Sequence, residues 1–512
     1  MIYSPLNNGV FKNFMQSEIS QKRLKILFVA AEAAPFAQAG GLGGVMFALP
    51  LALRKLGIDS RVFLPRYATI NTKKHKLEME LEGLKVPTDQ PSPLPHLICN
   101  VKRYFGGETA PAYFLENMEY YEKRANVYGY ADDHIRWTLL CRGMIEFIKN
   151  SSWIPDVIVA SDWQTGLIPN YLKTVYKKDK NLSKVKTIFA IHNPSYQGMC
   201  DFRFAKESEK DNGRESIPDF FNPRLAKLNW MLRGILYADL ITTVSPTYAK
   251  EILTPEYGEG LDKLLSEKRE KIFGILNGIN YDLYNPQTNP HIPRHYSSKT
   301  IEKKSENKIE LQKRFGLEEN SNLFLIGMPA RLTEQKGFDL IEKIIEKLLK
   351  HLPLQFIFIG DGEPRYKEML KKAAEKFPGK IGYLFEFEPF LPHLLYAGSD
   401  ATLIPSKFEP CGIVQMEAMR YGSVPIARKT GGLADTIQNF NPEKDDGDGF
   451  LFKEYNPYAL FTTICQAQAI FSLKEEWKKI VKRAMEKDFS WEKSAREYIR
   501  VFNILLKKIP AK

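Results

Sequence analysis

Residues 25–57, KILFVAAEAAPFAQAGGLGGVMFALPLALRKLG, decide the fold of the first half of this chain. The stretch begins with an almost continuously apolar run, KILFVAAEA (25–33), which is typical of a strand buried on both faces of a parallel sheet. GGVMFALPLALRKLG (43–57) has helical spacing and ends in basic residues and a glycine, which favour a helix stop. DSRVFLP (59–65) then predicts a second strand. Together these elements predict a right-handed strand–helix–strand unit.

The same alternation recurs along the chain and is interrupted once. A stretch rich in Pro, Asn, Ser, Thr and Lys (283–307) predicts a linker or a long surface loop. Two series of strands alternating with helices predict two doubly wound α/β domains with a cleft between them. The further predicted strands are PDVIVAS (155–161), TIFAIHN (187–193), ADLITTVS (238–245), LFLIGMPA (323–330), LQFIFIGDG (354–362), KIGYLFEF (380–387), DATLIPS (400–406) and SVPIARKTGG (423–432).

Length and charge narrow the class of protein. A chain of 512 residues is too long for one core, and its 44% hydrophobic and 26% charged residues are ordinary for a soluble globular protein. Lys and Arg total 73 against 61 Asp and Glu, a net charge of +12, but the basic residues form no long block. We therefore expect no nucleic-acid partner, since a basic cleft for an anionic substrate explains the excess equally well.

Cysteine usage and the N-terminus bear on location. Five cysteines without a C-x-x-C pair predict neither a zinc site nor a disulfide framework, and they favour a reducing cytoplasm. The opening MIYSPLNNGVFKNF lacks a basic region followed by an apolar stretch, so we expect no signal peptide. No apolar run approaches the roughly 20 residues that span a bilayer, so we expect no membrane association.

The glycine-rich stretch APFAQAGGLGGV (34–45) lies between the first strand and its helix. Gly40, Gly41, Gly43 and Gly44 let the backbone N–H groups approach an anion, and a helix N-terminus adds a favourable dipole. The stretch is neither G-x-G-x-x-G nor a phosphate-binding loop with its lysine. A tight turn with close helix packing explains it as well as a phosphate site does.

A pair of cations follows the first strand of the second series. PARLTEQKGFDLI (329–341) places Arg331 and Lys336 just past a buried strand, where ligands of such sheets bind. Two fixed cations suit a diphosphate leaving group, whose charge develops during the reaction. Taken alone, the pair could equally be two solvated basic side chains.

Two glutamates and another glycine turn lie in IPSKFEPCGIVQMEAMRYGSVPIARKTGGLADTI (404–437). Glu409 and Glu417 are eight residues apart, just over two helical turns, around a predicted helix start, so both can face one side. One carboxylate could bond sugar hydroxyls and the other the ribose of a nucleotide. TGG (430–432) repeats the phosphate-turn chemistry after another strand.

With these motifs in order, the chain resembles the bacterial glycogen synthases and plant starch synthases from about Lys25 to Phe502. These are retaining glucosyltransferases of the GT-B fold. The resemblance implies two Rossmann-like domains that face a central cleft, and a C-terminal helix that crosses back to the first domain. It is carried by the strings APFAQAGGLGGV, LPRY, SDWQTGL, IHNPSYQG, TTVSPTYAKEILTPEYGEGL, GILNGINYD, RLTEQKGFDL, PSKFEPCG, RKTGGLADT and DFSW.

The resemblance also implies a division of the chain and a reaction. We place an N-terminal extension at 1–22, an acceptor-side domain at 23–280, a nucleotide-sugar-binding domain at 281–482 and the returning C-terminal helix at 483–512. The implied donor is ADP-glucose, the implied acceptor is the non-reducing end of an α-1,4-glucan, and no metal or other cofactor is expected.

Site residues follow from the same motifs. The resemblance makes Arg331 and Lys336 the cations that bind the donor diphosphate, and it places Glu409 near the transferred glucose. Among the aromatic residues, Trp163, Tyr196 and Trp491 could stack on sugar rings, although a buried packing role is the default. The other implied donor-binding residues are Gln38, Gly40, Gly41, Asn277, Cys411, Gly412, Glu417, Thr430, Gly431 and Gly432, and the implied sugar and acceptor residues are Ser161, Asp162, His192 and Asn193.

The chain departs from the family pattern at four positions. Gln38 and Gly44 stand where the family has K-T-G-G-L-G-D, so a cation and a carboxylate are missing. Ser161 replaces the second histidine of H-A-H-D-W, and Glu417 stands where glycogen synthases commonly have tyrosine. Two interpretations remain: an active α-glucan synthase, or a relative with an altered donor or acceptor, weak activity or glucan binding alone.

Overall fold

The computed structural model describes residues 23–91, 93–386 and 388–507, whose strands form two sheets, one in each half of the chain. The predicted extension 1–22 lies outside the described residues. The strands are β1 (Lys25–Val29), β2 (Asp59–Pro65), β3 (Glu78–Pro87), β4 (His96–Tyr104), β5 (Ala112–Glu116), β6 (Val157–Ser161), β7 (Lys186–Ile191), β8 (Leu240–Thr243), β9 (Ile272–Gly274), β10 (Phe324–Pro329), β11 (Leu354–Ile359), β12 (Ile381–Leu384), β13 (Ala401–Ile404), β14 (Val424–Arg428) and β15 (Phe450–Phe452).

Helices alternate with these strands along the chain. In the described residues, the α-helices are α1 (Gly41–Lys55), α2 (Asp133–Asn150), α3 (Leu167–Lys173), α4 (Trp230–Tyr237), α5 (Pro246–Glu251), α6 (Asp262–Glu267), α7 (Lys304–Arg314), α8 (Phe338–His351), α9 (Pro364–Lys376), α10 (Leu391–Gly398), α11 (Val414–Arg420), α12 (Gly431–Thr436), α13 (Pro457–Ser472), α14 (Lys474–Glu486) and α15 (Trp491–Leu505). None of them is long and apolar enough to cross a membrane.

The first sheet has the strand order β3-β4-β5-β2-β1-β6-β7-β8-β9. β1 lies between β2 and β6 in parallel register, with Lys25 opposite Asp59 and Ile26 opposite Val157. β4 pairs in antiparallel fashion with β3 on one side and with β5 on the other, an edge that the predicted alternation missed. β3 is half exposed, so it lacks the continuous apolar run that marks the buried parallel strands.

The second sheet is parallel throughout and has the order β12-β11-β10-β13-β14-β15. The chain first forms β10, then moves outward to β11 and β12, and finally returns to the other side of β10 with β13. The predicted pair of doubly wound α/β domains is therefore confirmed. Each sheet has a point where the winding direction reverses, between β1 and β6 and between β10 and β13, and ligands bind outside the carboxyl ends of strands at such points.

The chain crosses between the two halves twice, and the crossings lie side by side. The Ile279 N–H donates to the carbonyl of Phe489 at 2.8 Å, and the Ser494 hydroxyl donates to the carbonyl of Leu276 at 2.7 Å. After the return crossing, α15 packs against α1 and joins the first core through side chains such as Phe502. The predicted return of the C-terminal helix to the first domain is confirmed.

Some predicted elements have different bounds. The part of the predicted returning helix that the structure describes belongs to two helices, because α14 ends at Glu486 and α15 starts at Trp491. The strand predicted at 423–432 ends at Arg428, and Gly431 already belongs to α12. The linker predicted at 283–307 is irregular at first, but α7 begins within it at Lys304.

Candidate active site

The glycine-rich turn after β1 holds a carboxylate of the protein itself. Glu32, only 2% exposed, accepts a hydrogen bond from the N–H of Gly40 at 2.9 Å and another from the N–H of Ala39. The Tyr128 phenol also bonds this carboxylate, and burial raises the pKa of that phenol. An acidic side chain therefore already occupies two amides of this turn, those of Ala39 and Gly40. Of the two interpretations of this stretch, the contacts favour the tight turn.

The carboxyl ends of β6 and β7 are joined by Asp162. Its carboxylate accepts hydrogen bonds from the N–H groups of His192, at 2.7 Å, and of Asn193, at 3.4 Å. Burial raises the pKa of Asp162, and its backbone has an unusual φ of 56°. Among the described residues, the Ser161 hydroxyl and Nε2 of His192 are buried without a partner. The structure thus brings the four predicted sugar-side residues together and leaves two polar atoms free for a ligand.

In the second domain, a cavity of about 220 Å³ opens between the ends of β10 and β13. Its lining includes Arg331, Lys336, Glu409 and Gly412. Nζ of Lys336 lies 2.6 Å from Oε2 of Glu409, and the Ser406 hydroxyl donates to the same oxygen at 2.9 Å. The two side chains of the ion pair are 21% and 14% exposed, respectively. The structure therefore places the predicted cations and carboxylate at the reversal point of the second sheet.

Arg331 also borders a second cavity of about 520 Å³, which lies outside the ends of β10, β11 and β12. Its walls include Gly360, Asp361 and Glu386. The Arg331 side chain is exposed, and no described residue forms a hydrogen bond or ion pair with its guanidinium. An arginine with free donors between two cavities is suited to bind a phosphate group that links two larger parts of one ligand.

The two motifs of the second domain pack on each other through backbone. The Gly432 N–H donates to the carbonyl of Glu409 at 3.1 Å, and a side chain at Gly432 would overlap the carbonyl oxygen of Cys411. Gly431 has a φ of +44°. Burial raises the pKa of the Cys411 thiol to about 12, and Asn277 of the first crossing lies beside it. The turn at 430–432 therefore supports the loop that carries Glu409.

The comparisons with known proteins agree with this geometry. Residues 25–267 match the family described as starch synthase catalytic domain, and residues 309–484 match glycosyl transferases group 1. The glycogen synthase of Caldicellulosiruptor bescii is 43% identical over 489 residues, which cover 94% of this chain and 100% of that protein. The chain belongs to the glycogen and starch synthase family. The glycogen synthase of Geotalea daltonii is 41% identical over 498 residues, covering 95% of this chain and 99% of that protein.

A solved structure supports the same assignment. The catalytic domain of starch synthase IV from Arabidopsis thaliana, bound to ADP and acarbose, superposes with a TM-score of 0.79 at 30% identity. The match covers 95% of this chain and 100% of that one. The GT-B fold is therefore confirmed, and this synthase is a glucosyltransferase.

A cluster of hydrogen bonds between the two domains of the synthase was not predicted. All of its first-domain members lie at the start of α5 or within it, and all of its second-domain members lie in the two packed motifs. The sequence offered a signal, because both segments belong to strings that carry the family resemblance. This interdomain cluster joins Ser245 to the Pro410 carbonyl at 2.8 Å, Thr247 to the Asp435 carboxylate at 2.7 Å, and the Glu251 carboxylate to the Thr430 hydroxyl and the Gly431 N–H, both at 3.0 Å.

Of the two glutamates whose spacing lets both face one side, Glu409 lines the cavity of about 220 Å³ and Glu417 does not. Glu409 precedes α11 and lies in the loop, so helical spacing does not relate the two residues. The Glu417 carboxylate is buried, accepts a hydrogen bond from the Tyr396 phenol at 2.9 Å, and also bonds the Tyr284 phenol. Burial raises its pKa. Glu417 is not among the residues that line the two cavities, and its contact with a ribose stays a prediction.

Replacing Gln38 with the family's lysine tests whether the missing cation of the first domain weakens donor binding. Gln38 is exposed and its side chain folds over Gly43, so a longer side chain meets no steric barrier. We expect Gln38→Lys to leave turnover unchanged and to lower the KM for the nucleotide sugar by up to about tenfold, because a charged hydrogen bond to phosphate is stronger than a neutral one. Gln38→Met is the uncharged control of similar length. Loss of activity in Gln38→Lys would show that the glutamine has a role of its own.

Proposed function

We propose that this synthase transfers glucose from ADP-glucose to the 4-hydroxyl at the non-reducing end of an α-1,4-glucan and releases ADP. The observation that carries the proposal is the placement of Arg331, Lys336 and Glu409 around one cavity at the reversal point of the second sheet. The glycogen synthase relatives and a starch synthase structure bound to ADP support the choice of donor and acceptor.

The residues divide the chemical work between them. Arg331 and Lys336 bind the diphosphate and stabilise the charge that develops on its oxygen as the bond to C1 of glucose breaks. Glu409, which accepts a hydrogen bond from the Ser406 hydroxyl, holds the Lys336 ammonium in place before the donor binds. The acceptor 4-hydroxyl attacks C1 of glucose on the face from which the diphosphate leaves. Its proton passes to the leaving phosphate oxygen. Ser161 and His192 offer their free polar atoms to the sugars from the opposite wall.

We further propose that the reaction uses no metal ion. The described part of the chain has no group of three or more His, Cys, Asp and Glu side chains arranged to hold one. The proposal rests on Arg331 and Lys336, whose two positive charges can neutralise a diphosphate. We expect turnover to be the same in EDTA as in excess magnesium, with both measured by ADP release. A large loss of turnover in EDTA that magnesium restores would contradict this proposal.

A donor panel with maltooligosaccharide acceptors tests the main proposal. ADP-glucose should release ADP and lengthen the oligosaccharide by single glucose units, as read by mass spectrometry. No elongation with ADP-glucose, together with clear elongation from UDP-glucose, would assign a different donor. Tight binding of ADP or glucan without transfer from any donor would favour a binding protein.

A cytoplasmic location is part of the proposal and is supported by the five cysteines, all of which are free thiols.

A further inference from the structure

A third cavity, of about 580 Å³, lies beside β15 at the edge of the second sheet. Its lining includes Lys429, Lys453 and Lys487, and we call it the lysine cavity. Asp435 is the only carboxylate among the described residues that line it. None of these residues also lines the two cavities that Arg331 borders. The lysine cavity is therefore separate from the proposed donor site, and its volume is typical of small-ligand sites.

The register of the sheet places two of these lysines side by side. Lys429 directly follows β14, and Lys453 directly follows β15. Arg428 and Phe452 pair in parallel register, and the Lys429 N–H donates to the Phe452 carbonyl at 2.8 Å. Neighbouring strands are about 5 Å apart. The two lysines are therefore neighbours at the carboxyl ends of their strands, where ligands of such sheets bind.

Neither of these neighbouring ammonium groups has a partner in the described part of the chain. Lys429 and Lys453 are both exposed, and no described residue forms a hydrogen bond or an ion pair with either ammonium. Like charges at adjacent positions of paired strands destabilise a sheet. An anion that contacts both ammonium groups would remove this repulsion.

The carboxylates near the cavity are already engaged with other groups. Asp435 accepts hydrogen bonds from the N–H of Thr247 at 2.8 Å and from the Thr247 hydroxyl at 2.7 Å. The ammonium of Lys487 forms an ion pair with the buried carboxylate of Asp448. The charges of Lys429 and Lys453 are therefore left uncompensated at the cavity.

We propose that the lysine cavity binds a small anion that carries a phosphate group. A phosphate group on an organic molecule has a charge of about −1.5 to −2 at pH 7, which matches two free ammonium groups, and lysine binds phosphate as a point charge. Free phosphate and a phosphorylated small molecule share this chemistry, and the cavity has room for either. The site adjoins the interdomain cluster, because Lys429 directly precedes Thr430 and Asp435 belongs to the cluster.

Calorimetric titration at constant ionic strength tests the proposal, with inorganic phosphate and glycerol 3-phosphate as separate probes. We expect binding, and the tighter probe distinguishes free phosphate from a phosphorylated molecule. Replacing both lysines, Lys429→Gln with Lys453→Gln, should raise the Kd by at least about tenfold, because a charged hydrogen bond to phosphate contributes on this scale. If neither probe binds the wild type in the millimolar range, the proposal is wrong.

Saturating ADP separates this site from the proposed donor site. Binding of the probes should persist when ADP is present, and the double variant should bind ADP as the wild type does. Complete displacement of the probes by ADP would place them at Arg331 and Lys336 instead and would refute the proposal. If ADP does not bind at all, the proposed function fails, whereas the effect of the two lysine substitutions still decides this inference.

The matched control removes two charges from the opposite edge of the second sheet. Lys371→Gln with Lys372→Gln changes two exposed lysines of α9, which packs on β12. This control should bind both probes as the wild type does, and an equal loss of affinity would show a general effect of surface charge and overturn the proposal.

Thermal unfolding without phosphate gives a second readout. The Lys429 and Lys453 double variant should melt at the wild-type temperature or slightly higher, because it lacks the repulsion between the two ammonium groups. A clearly lower melting temperature would mean that the two lysines stabilise the fold themselves, which contradicts the proposal.

Discussion

Lys336→Ala should lower turnover with ADP-glucose and a maltooligosaccharide by about 100- to 1,000-fold, the usual cost of removing one group that stabilises developing charge. Lys336 lies in the cavity at the reversal point, 2.6 Å from Glu409, and no other described lysine lines that cavity. The change also leaves the Glu409 carboxylate without its cation, at the place where the diphosphate must bind. The measurement is the initial rate of ADP release at saturating donor.

The control for this variant is Lys376→Ala, which breaks an ion pair of similar length, 2.5 Å, to Glu346 on the surface. Both of its partners are more than half exposed, so its loss should not change turnover. Lys336→Arg retains the charge and should recover part of the rate. Near-normal turnover in Lys336→Ala, with an unchanged melting temperature, would remove Lys336 from the leaving-group role.

Gly432→Ala should abolish detectable transfer and lower the melting temperature. The added methyl group would overlap the Cys411 carbonyl, which is backbone and cannot rotate away. Overpacking typically costs about 1–3 kcal/mol, and here the displaced segment is the loop that positions Glu409. Turnover should therefore fall much further than stability does. Paired measurements of ADP release and thermal unfolding separate the two effects.

Gly44→Ala is the matched control, because nothing in the structure lies within 4 Å of a side chain at that position. Gly44 lies inside α1, where alanine is a better helix former than glycine by about 1 kcal/mol. We expect this variant to keep full activity and to melt at the same temperature or slightly higher. Full activity in Gly432→Ala would show that the motifs of the second domain do not depend on their close contact.

The altered positions of the first domain fit a site whose donor chemistry lies mainly in the second domain. Glu32 occupies the Ala39 and Gly40 amides of the glycine turn. The described residues that line the two cavities all come from residues 328–415. The family's lysine is absent at Gln38, whereas Arg331 and Lys336 remain. In the proposed mechanism, loss of the first-domain cation leaves the two proposed diphosphate-binding cations, Arg331 and Lys336, in place.

Sequence alone determined the two doubly wound domains of this protein, the strands around each reversal point and the place of Arg331 and Lys336 just past one of these strands. It did so because buried parallel strands leave continuous apolar runs, and because parallel strands carry the residues that follow them to one edge of the sheet. The antiparallel edge at β3 and β4 left no such run and was missed.

Only the tertiary structure decided which polar groups already have partners. Glu32 follows β1 as an ordinary acidic residue in the sequence, and Glu417 has helical spacing from Glu409. In the folded chain, however, the Glu32 carboxylate accepts hydrogen bonds from the glycine turn, and the Glu417 carboxylate accepts them from two phenols. The interdomain cluster likewise joins residues about 180 positions apart, such as Glu251 and Gly431. A hydrogen bond depends on the distance and direction between two groups in space, and the order of residues along a chain specifies neither for groups on different domains.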